Sequence, residues 1–231
     1  MNIHLLSGGA AAAVVKGIQA EFEAKTGCLI HGTYSAVGAM REQLISGTPC
    51  DVVILTRPLI EGLVASGHVV ASSVRSLGLV KTGVAVRSGS PHPAVDSPEA
   101  LRQAFEQASG IYFPDPKQAT AGIHFMKVLT ALGLHEQLAE RFRVYPNGAT
   151  AMGEMARSSE PGLIGCTQVT EINYTPGVDL VGNLPPAFEL ATDYTLGVCT
   201  HSAHPALAQQ LADMLCGPAT HAIRRQGGFE F

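Results

Sequence analysis

The sequence predicts an α/β protein. Short runs rich in β-branched residues alternate with stretches of helical composition along the chain. One run, Asp51 to Leu55 (DVVIL), is almost continuously apolar, as a parallel strand buried on both faces must be. Turns built of small residues recur where a strand gives way to a helix.

The elements follow in order. Ile3 to Leu6 reads as a strand. Ala10 to Lys25 reads as a helix with Val14, Ile18 and Phe22 on one stripe, closed by Thr26-Gly27. Cys28 to Tyr34 is the next strand and Val37 to Ser46 the next helix. The Asp51 to Leu55 strand leads into a helix over Pro58 to Ser66, with proline in its first turn. Val80 to Val86 reads as a strand leaving this first series. Ser97 caps a helix that opens at Pro98 and runs over Glu99 to Gln107. The second series continues with a strand over Gly110 to Phe113, a helix over Ala121 to Leu132 and a strand over Phe142 to Tyr145. A helix over Thr150 to Arg157 and a strand over Gly162 to Thr167 complete it. Ala191 to Thr200 reads as a strand returning to the first series, and Pro205 to Leu215 and Pro218 to Arg225 as closing helices.

With 231 residues and 46% hydrophobic composition, the chain builds its own core without a staple. The net charge is −4 and no basic stripe occurs, so nucleic-acid binding lacks its electrostatic footprint. No apolar run approaches the length of about 18 residues that a membrane helix needs. The chain enters an apolar strand at once after Met1-Asn2, without the basic start and long apolar stretch of a secretory signal. The expected location is cytoplasmic as the sequence is written, and periplasmic if it is a mature form with an added Met. Five cysteines, Cys28, Cys50, Cys166, Cys199 and Cys216, show no CxxC spacing, so they are expected to be small buried apolar side chains. No metal site is expected.

Four strand-to-helix turns are candidates for binding: Ser7-Gly8-Gly9-Ala10, Tyr34-Ser35-Ala36-Val37-Gly38, Asp115 through Thr120-Ala121-Gly122, and Asn147-Gly148-Ala149-Thr150. Small residues leave the backbone N–H groups of a helix start open, where the helix dipole is positive. Such a turn holds an anion without a charged side chain. The Walker pattern is absent, and Ser7-Gly8-Gly9 lacks GxGxxG spacing, so a nucleotide is not the expected ligand and no cofactor is expected.

On these turns the chain resembles the type II periplasmic-binding-protein fold, in its molybdate-binding-protein branch. Further matching pieces are Phe22-Glu23-Ala24-Lys25-Thr26-Gly27, Gly47-Thr48-Pro49-Cys50-Asp51-Val52, and the closing stretch from Leu215-Cys216-Gly217-Pro218 to Gly228-Phe229. The resemblance spans nearly the whole chain. It implies two lobes joined by crossover strands, residues 1–78 plus 195–231 and residues 79–194, with the ligand clamped between them. It implies oxyanion contacts at Ser7, Ser35, Ala121 and Thr150, supported by Gly8, Gly9, Ala36, Val37, Thr120, Gly122 and Ala149. Gln168 stands where the family has a tyrosine, and Thr150 replaces an apolar residue. An amide both donates and accepts, so the ligand stays open between a molybdate-like oxyanion and a di- or tricarboxylate.

The function the resemblance implies is small-anion binding, with an ABC-transporter permease as partner if the protein is exported. The alternative is a cytoplasmic isomerase of a small unsaturated polycarboxylate, resembling aconitate isomerase, on the same fold. For that chemistry His124 is the expected proton-transfer group, because it lies beside an anion turn where the positive helix end favours a neutral ring. Tyr34 is the second catalytic candidate, as proton donor or ligand contact. Glu171, three positions after Gln168, reads as a cap or a surface residue. Arg57 and Arg41 are within sequence reach of a carboxylate ligand. A regulatory ligand-sensing domain is the weakest reading, since no helix-turn-helix is evident.

Overall fold

The computed structural model describes residues 1–231 and divides them into two compact units. Unit 1 comprises Met1–Leu79 and Thr192–Phe231, and unit 2 comprises Val80–Ala191. Each is a β/α unit.

Unit 1 opens with β1 (Asn2–Gly8), a 3₁₀ turn (Gly9–Ala11) and α1 (Ala12–Thr26). Val14, Ile18 and Phe22 lie on one buried stripe of α1, as their spacing predicts, and Gly27 ends the helix at φ 66°, a left-handed conformation suited to glycine. β2 (Leu29–Ser35), α2 (Val37–Ile45), β3 (Val52–Thr56) and α3 (Arg57–Ala65) follow. β1 pairs in parallel with both β2 and β3. Every residue of β3 is buried, which is why this segment reads as an unbroken apolar run. β4 (Arg75–Arg87) leaves unit 1, and β9 (Ala191–Val198) returns to it and pairs antiparallel with β3. α8 (Pro205–Cys216), α9 (His221–Gly227) and the short β10 (Phe229–Glu230) close the unit.

Unit 2 takes the remainder of β4, then α4 (Pro98–Gln107), β5 (Gly110–Pro114), α5 (Thr120–Ala131), β6 (Phe142–Tyr145), α6 (Gly148–Arg157), β7 (Leu163–Gln168), α7 (Val169–Asn173) and β8 (Val178–Asn183). β5 pairs in parallel with β6 and with β7, whereas β4 pairs antiparallel with β7 and β8. Two cores form. One gathers Leu101, Phe105, Phe113, Phe125 and Leu129, with Phe113 and Phe105 each edge-on to Phe125. The other gathers Met152 and Met155 of α6 against Tyr112 and Ile172.

Several elements differ from expectation, among them β10 and the segment after Pro218, which is a 3₁₀ turn (Pro218–Thr220) before α9. β4 begins at Arg75 rather than Val80, its first residues including Arg75, Ser76 and Gly78, which are weak strand signals in sequence. β8 is a half-buried strand without clear alternation, and α7 is a helix of five residues, so neither carries a periodicity long enough to read. No helix is long and apolar enough to cross a membrane.

Candidate functional site

In unit 1 the parallel register of β1 and β2 sets Gly8 opposite Ser35, so the turns Ser7–Gly9 and Ser35–Val37 stand side by side at the carboxyl ends of their strands. That is where open α/β sheets bind ligands. Gly8 is required by packing: a Cβ there would lie 2.7 Å from Cγ1 of Val37 and 3.1 Å from Cε1 of Tyr194. Gly8 and Ala36 are the residues before the first helical turns, and neither has a side chain able to cap them. Ser35 is half-buried, Ala36 and Val37 are buried, and Gly9 is partly open. The Ser7 hydroxyl, expected to meet a ligand, is fully buried and donates to the carbonyl of Gly8 at 2.8 Å.

In unit 2 the Asp115 carboxylate folds the turn after β5 by accepting from the N–H groups of Lys117 (2.6 Å) and Gln118 (3.1 Å). α5 then starts after Ala119, again with no side-chain cap. Thr120 is half-buried and Ala121 buried. Gly122 is fixed by close approach, because a Cβ there would run into the carbonyls of Pro114 and Asp115.

The turn after β6 is different. Asn147 caps α6 by accepting from Thr150 N at 2.8 Å. The carboxyl of Glu171, buried in α7, accepts from the Thr167 hydroxyl at 2.6 Å and from the N–H groups of Ala149, Gln168 and Gly148. A Cβ on Gly148 would overlap both the Thr167 hydroxyl and the Glu171 carboxyl. The backbone donors of Ala149 and Thr150, expected to face a ligand, are therefore taken by Glu171 and Asn147. The physical reason is that an internal carboxylate meets the same preference for negative charge that the helix start offers to a ligand. The half-buried Thr150 hydroxyl and the exposed Ala149 methyl are the groups this turn presents. Burial pushes the Glu171 carboxyl above the usual carboxylate range, with its hydrogen bonds opposing that shift. Glu171 therefore caps its own helix through Gln168 N, as its spacing predicts, and caps α6 as well, which spacing does not reveal. Gln168, buried at the end of β7, lies in register with Thr82 of β4.

His124 is half-buried in the second turn of α5, with Nε2 2.8 Å from the carbonyl of Phe188. A carbonyl only accepts, so Nε2 carries a proton and a neutral ring keeps its lone pair on Nδ1. Tyr34 leans back along β2 over Gly32, and Lys16 Nζ of α1 sits 5.5 Å from its ring centroid. Burial pushes its phenol up to about 12, a poor match for proton donation near neutrality. Arg57 pairs with Asp193 (Nε to Oδ2 2.6 Å), and Asp193 also accepts from Ser76 at 2.6 Å, so this guanidinium is held within unit 1; Arg41 is exposed. No group of three His, Cys, Asp or Glu side chains is arranged to hold a metal ion.

A family model described as bacterial extracellular solute-binding protein matches residues 3–230. The chain belongs to that family. Among solved structures this solute-binding protein is similar to the periplasmic molybdate-binding protein of Azotobacter vinelandii. The two are 20% identical with a TM-score of 0.81, and the match covers 99% of each chain. It is also similar to the sulfate-binding protein SubI of Mycobacterium tuberculosis, 17% identical with a TM-score of 0.75, covering 99% of this chain and 86% of that one. These likenesses establish the type II periplasmic-binding-protein fold. Aconitate isomerase from a Pseudomonas species is 27% identical over 233 residues, covering 98% of this chain and 87% of that protein.

Proposed function

We propose that this solute-binding protein binds a small anion, a carboxylate or an oxyanion, at its uncapped strand-to-helix turns. The supporting observation is that the helix starts after β1, β2 and β5 follow Gly8, Ala36 and Ala119, none of which caps them by a side chain. In contrast, α4 is capped by Ser97 accepting from Ala100 at 3.1 Å. Uncapped, positively polarised N–H groups favour an anionic acceptor. Gln168 adds an amide able to meet both a carboxylate and a hydroxyl. Delivery of that anion to a transporter permease is the partner role that goes with this reading. The test is a thermal-shift series with molybdate, sulfate, citrate and aconitate. A ligand present at 100 times its dissociation constant adds about 2.7 kcal/mol of stability. No shift with any of them would reject the reading.

A second reading, isomerisation of an unsaturated polycarboxylate on the same donors, is favoured by the 27% identity to an aconitate isomerase across nearly the whole chain. His124 then moves the proton, through the Nδ1 that its contact with Phe188 leaves available. General acid–base catalysis contributes about 10²–10⁴ in rate. His124→Asn is expected to lower deuterium uptake from D₂O into aconitate by at least the smaller factor, with binding kept within a few-fold. Uptake that survives the substitution removes His124 from the mechanism, and no uptake by the unaltered protein leaves binding alone.

A further inference from the structure

Unit 1 is assembled from two stretches of chain that are far apart in sequence, Met1–Leu79 and Thr192–Phe231. They meet along β3 and β9, where Val52 stands opposite Val198. The same register carried one residue outward sets Asp51 opposite Cys199, and Cys199 N donates to Asp51 O at 2.9 Å. Cys50 is the next residue along. Opposed Cα atoms in an antiparallel pair lie about 5 Å apart, which puts diagonal neighbours about 6 Å apart, inside the range a disulfide spans. The Cys50 thiol donates to Val52 O at 3.2 Å, and the Cys199 thiol is near enough to interact with it. Both are buried, at 8% and 3% exposure. The contact and burial hold the Cys199 thiol far above the ordinary thiol range, so the reduced pair is inert while the fold stays closed.

Beside the pair, the buried Asp51 carboxylate accepts from His4 N at 2.8 Å, Ser202 Oγ at 2.6 Å and Ala203 N at 3.0 Å. Three separate stretches of unit 1 are thus tied at this point by hydrogen bonds alone, with two buried thiols on neighbouring positions next to them.

We propose that Cys50 and Cys199 are a disulfide-forming pair whose oxidation by a small-molecule disulfide covalently joins the two chain stretches of unit 1. The chemistry is thiol–disulfide exchange. The Cys50 thiol gives its proton to buffer, and its thiolate attacks one sulfur of oxidised glutathione, forming a mixed disulfide and releasing one glutathione thiolate. The Cys199 thiolate then attacks the Cys50 sulfur and releases the second. Two protein thiols are oxidised, one glutathione disulfide is reduced, and both released thiolates take up the protons. Because the pair is buried, exchange proceeds from opened chains, so the bond forms during folding.

The full chain is reduced, unfolded, and refolded with excess oxidised glutathione. It is then quenched with N-ethylmaleimide in denaturant, digested and mapped by mass spectrometry. The expected result is a Cys50 peptide joined to a Cys199 peptide, with Cys28, Cys166 and Cys216 alkylated. The joined protein is also expected to unfold at a higher urea concentration, a shift that reductant reverses. Cys50 and Cys199 both recovered alkylated from refolded protein, or recovered bonded to glutathione or to other cysteines, would overturn the proposal. The map is read on the unaltered chain, so it does not depend on whether Cys50→Ser or Cys199→Ser folds.

Discussion

The starts of α5 and α6 occupy equivalent places in unit 2, each following a strand of the parallel set β7-β5-β6. Both turns are built of small residues. At α5 the residue before the helix is Ala119 and no side chain caps the first turn. At α6 the donors are met by Asn147 and by the buried carboxyl of Glu171. One turn has no side-chain cap and the other has its donors met from within the chain. A small-residue helix start can thus be closed by an acid that lies on a different helix.

The largest expected effect comes from emptying the closed turn. Glu171→Ala removes the acceptor for the N–H groups of Gly148, Ala149 and Gln168 and for the Thr167 hydroxyl. Leaving buried donors unmet is expected to cost about 3 kcal/mol, read as a lower urea midpoint. Acetate or formate in the buffer should restore part of the loss, since the opened turn then resembles that of α5. A loss under about 1 kcal/mol would mean that Asn147 alone holds the turn.

A smaller effect distinguishes charge from shape at the same place. Burial raises the folded-state value of the Glu171 carboxyl above that of the unfolded chain. Its stabilising contribution is therefore whole below the ordinary carboxylate range and is lost as pH rises through the folded value. Relative to Glu171→Gln, the unaltered protein is expected to lose stability across that window, with a slope approaching about 1.4 kcal/mol per pH unit. Parallel pH profiles for the two proteins would show that the carboxyl titrates as it does in the unfolded chain.

The smallest effect comes from closing the open turn. Ala119→Ser supplies a capping hydroxyl, expected to add about 1 kcal/mol to the free protein. It should weaken binding of any anion that stabilises the unaltered protein, because the cap competes for the same N–H groups. Unchanged affinity by calorimetry would take the α5 start out of the ligand site.

What could be read from the sequence follows from how local each signal is. The α1 stripe of Val14, Ile18 and Phe22 and the apolar β3 are written in neighbouring residues, so those elements were plain. The pairing of Gly8 with Ser35 depends only on two strands running in parallel, so that part of the candidate site was within reach once the fold class was known. The cap Glu171 gives its own helix at Gln168 was legible from a spacing of three, but its hold on Gly148 and Ala149 was not, because it runs through a tertiary contact between α7 and α6. The same holds for Arg57, taken by an aspartate 136 positions away, whereas Ser7 was misread because its rotamer, turned back to the carbonyl of Gly8, is not written in the residue types. β8 escaped because a half-buried strand alternates too weakly to show a period.

The discontinuity of unit 1 also sets an order of events on the ribosome. β3 emerges early, yet its antiparallel neighbour β9 is synthesised only after all of Val80–Ala191 has been made. Unit 2 is one uninterrupted stretch and is complete while unit 1 still lacks β9, α8 and α9. Until they arrive, the apolar edge of β3 is a nascent strand without its partner, and shielding it from other chains during translation falls to whatever meets the polypeptide at the exit tunnel.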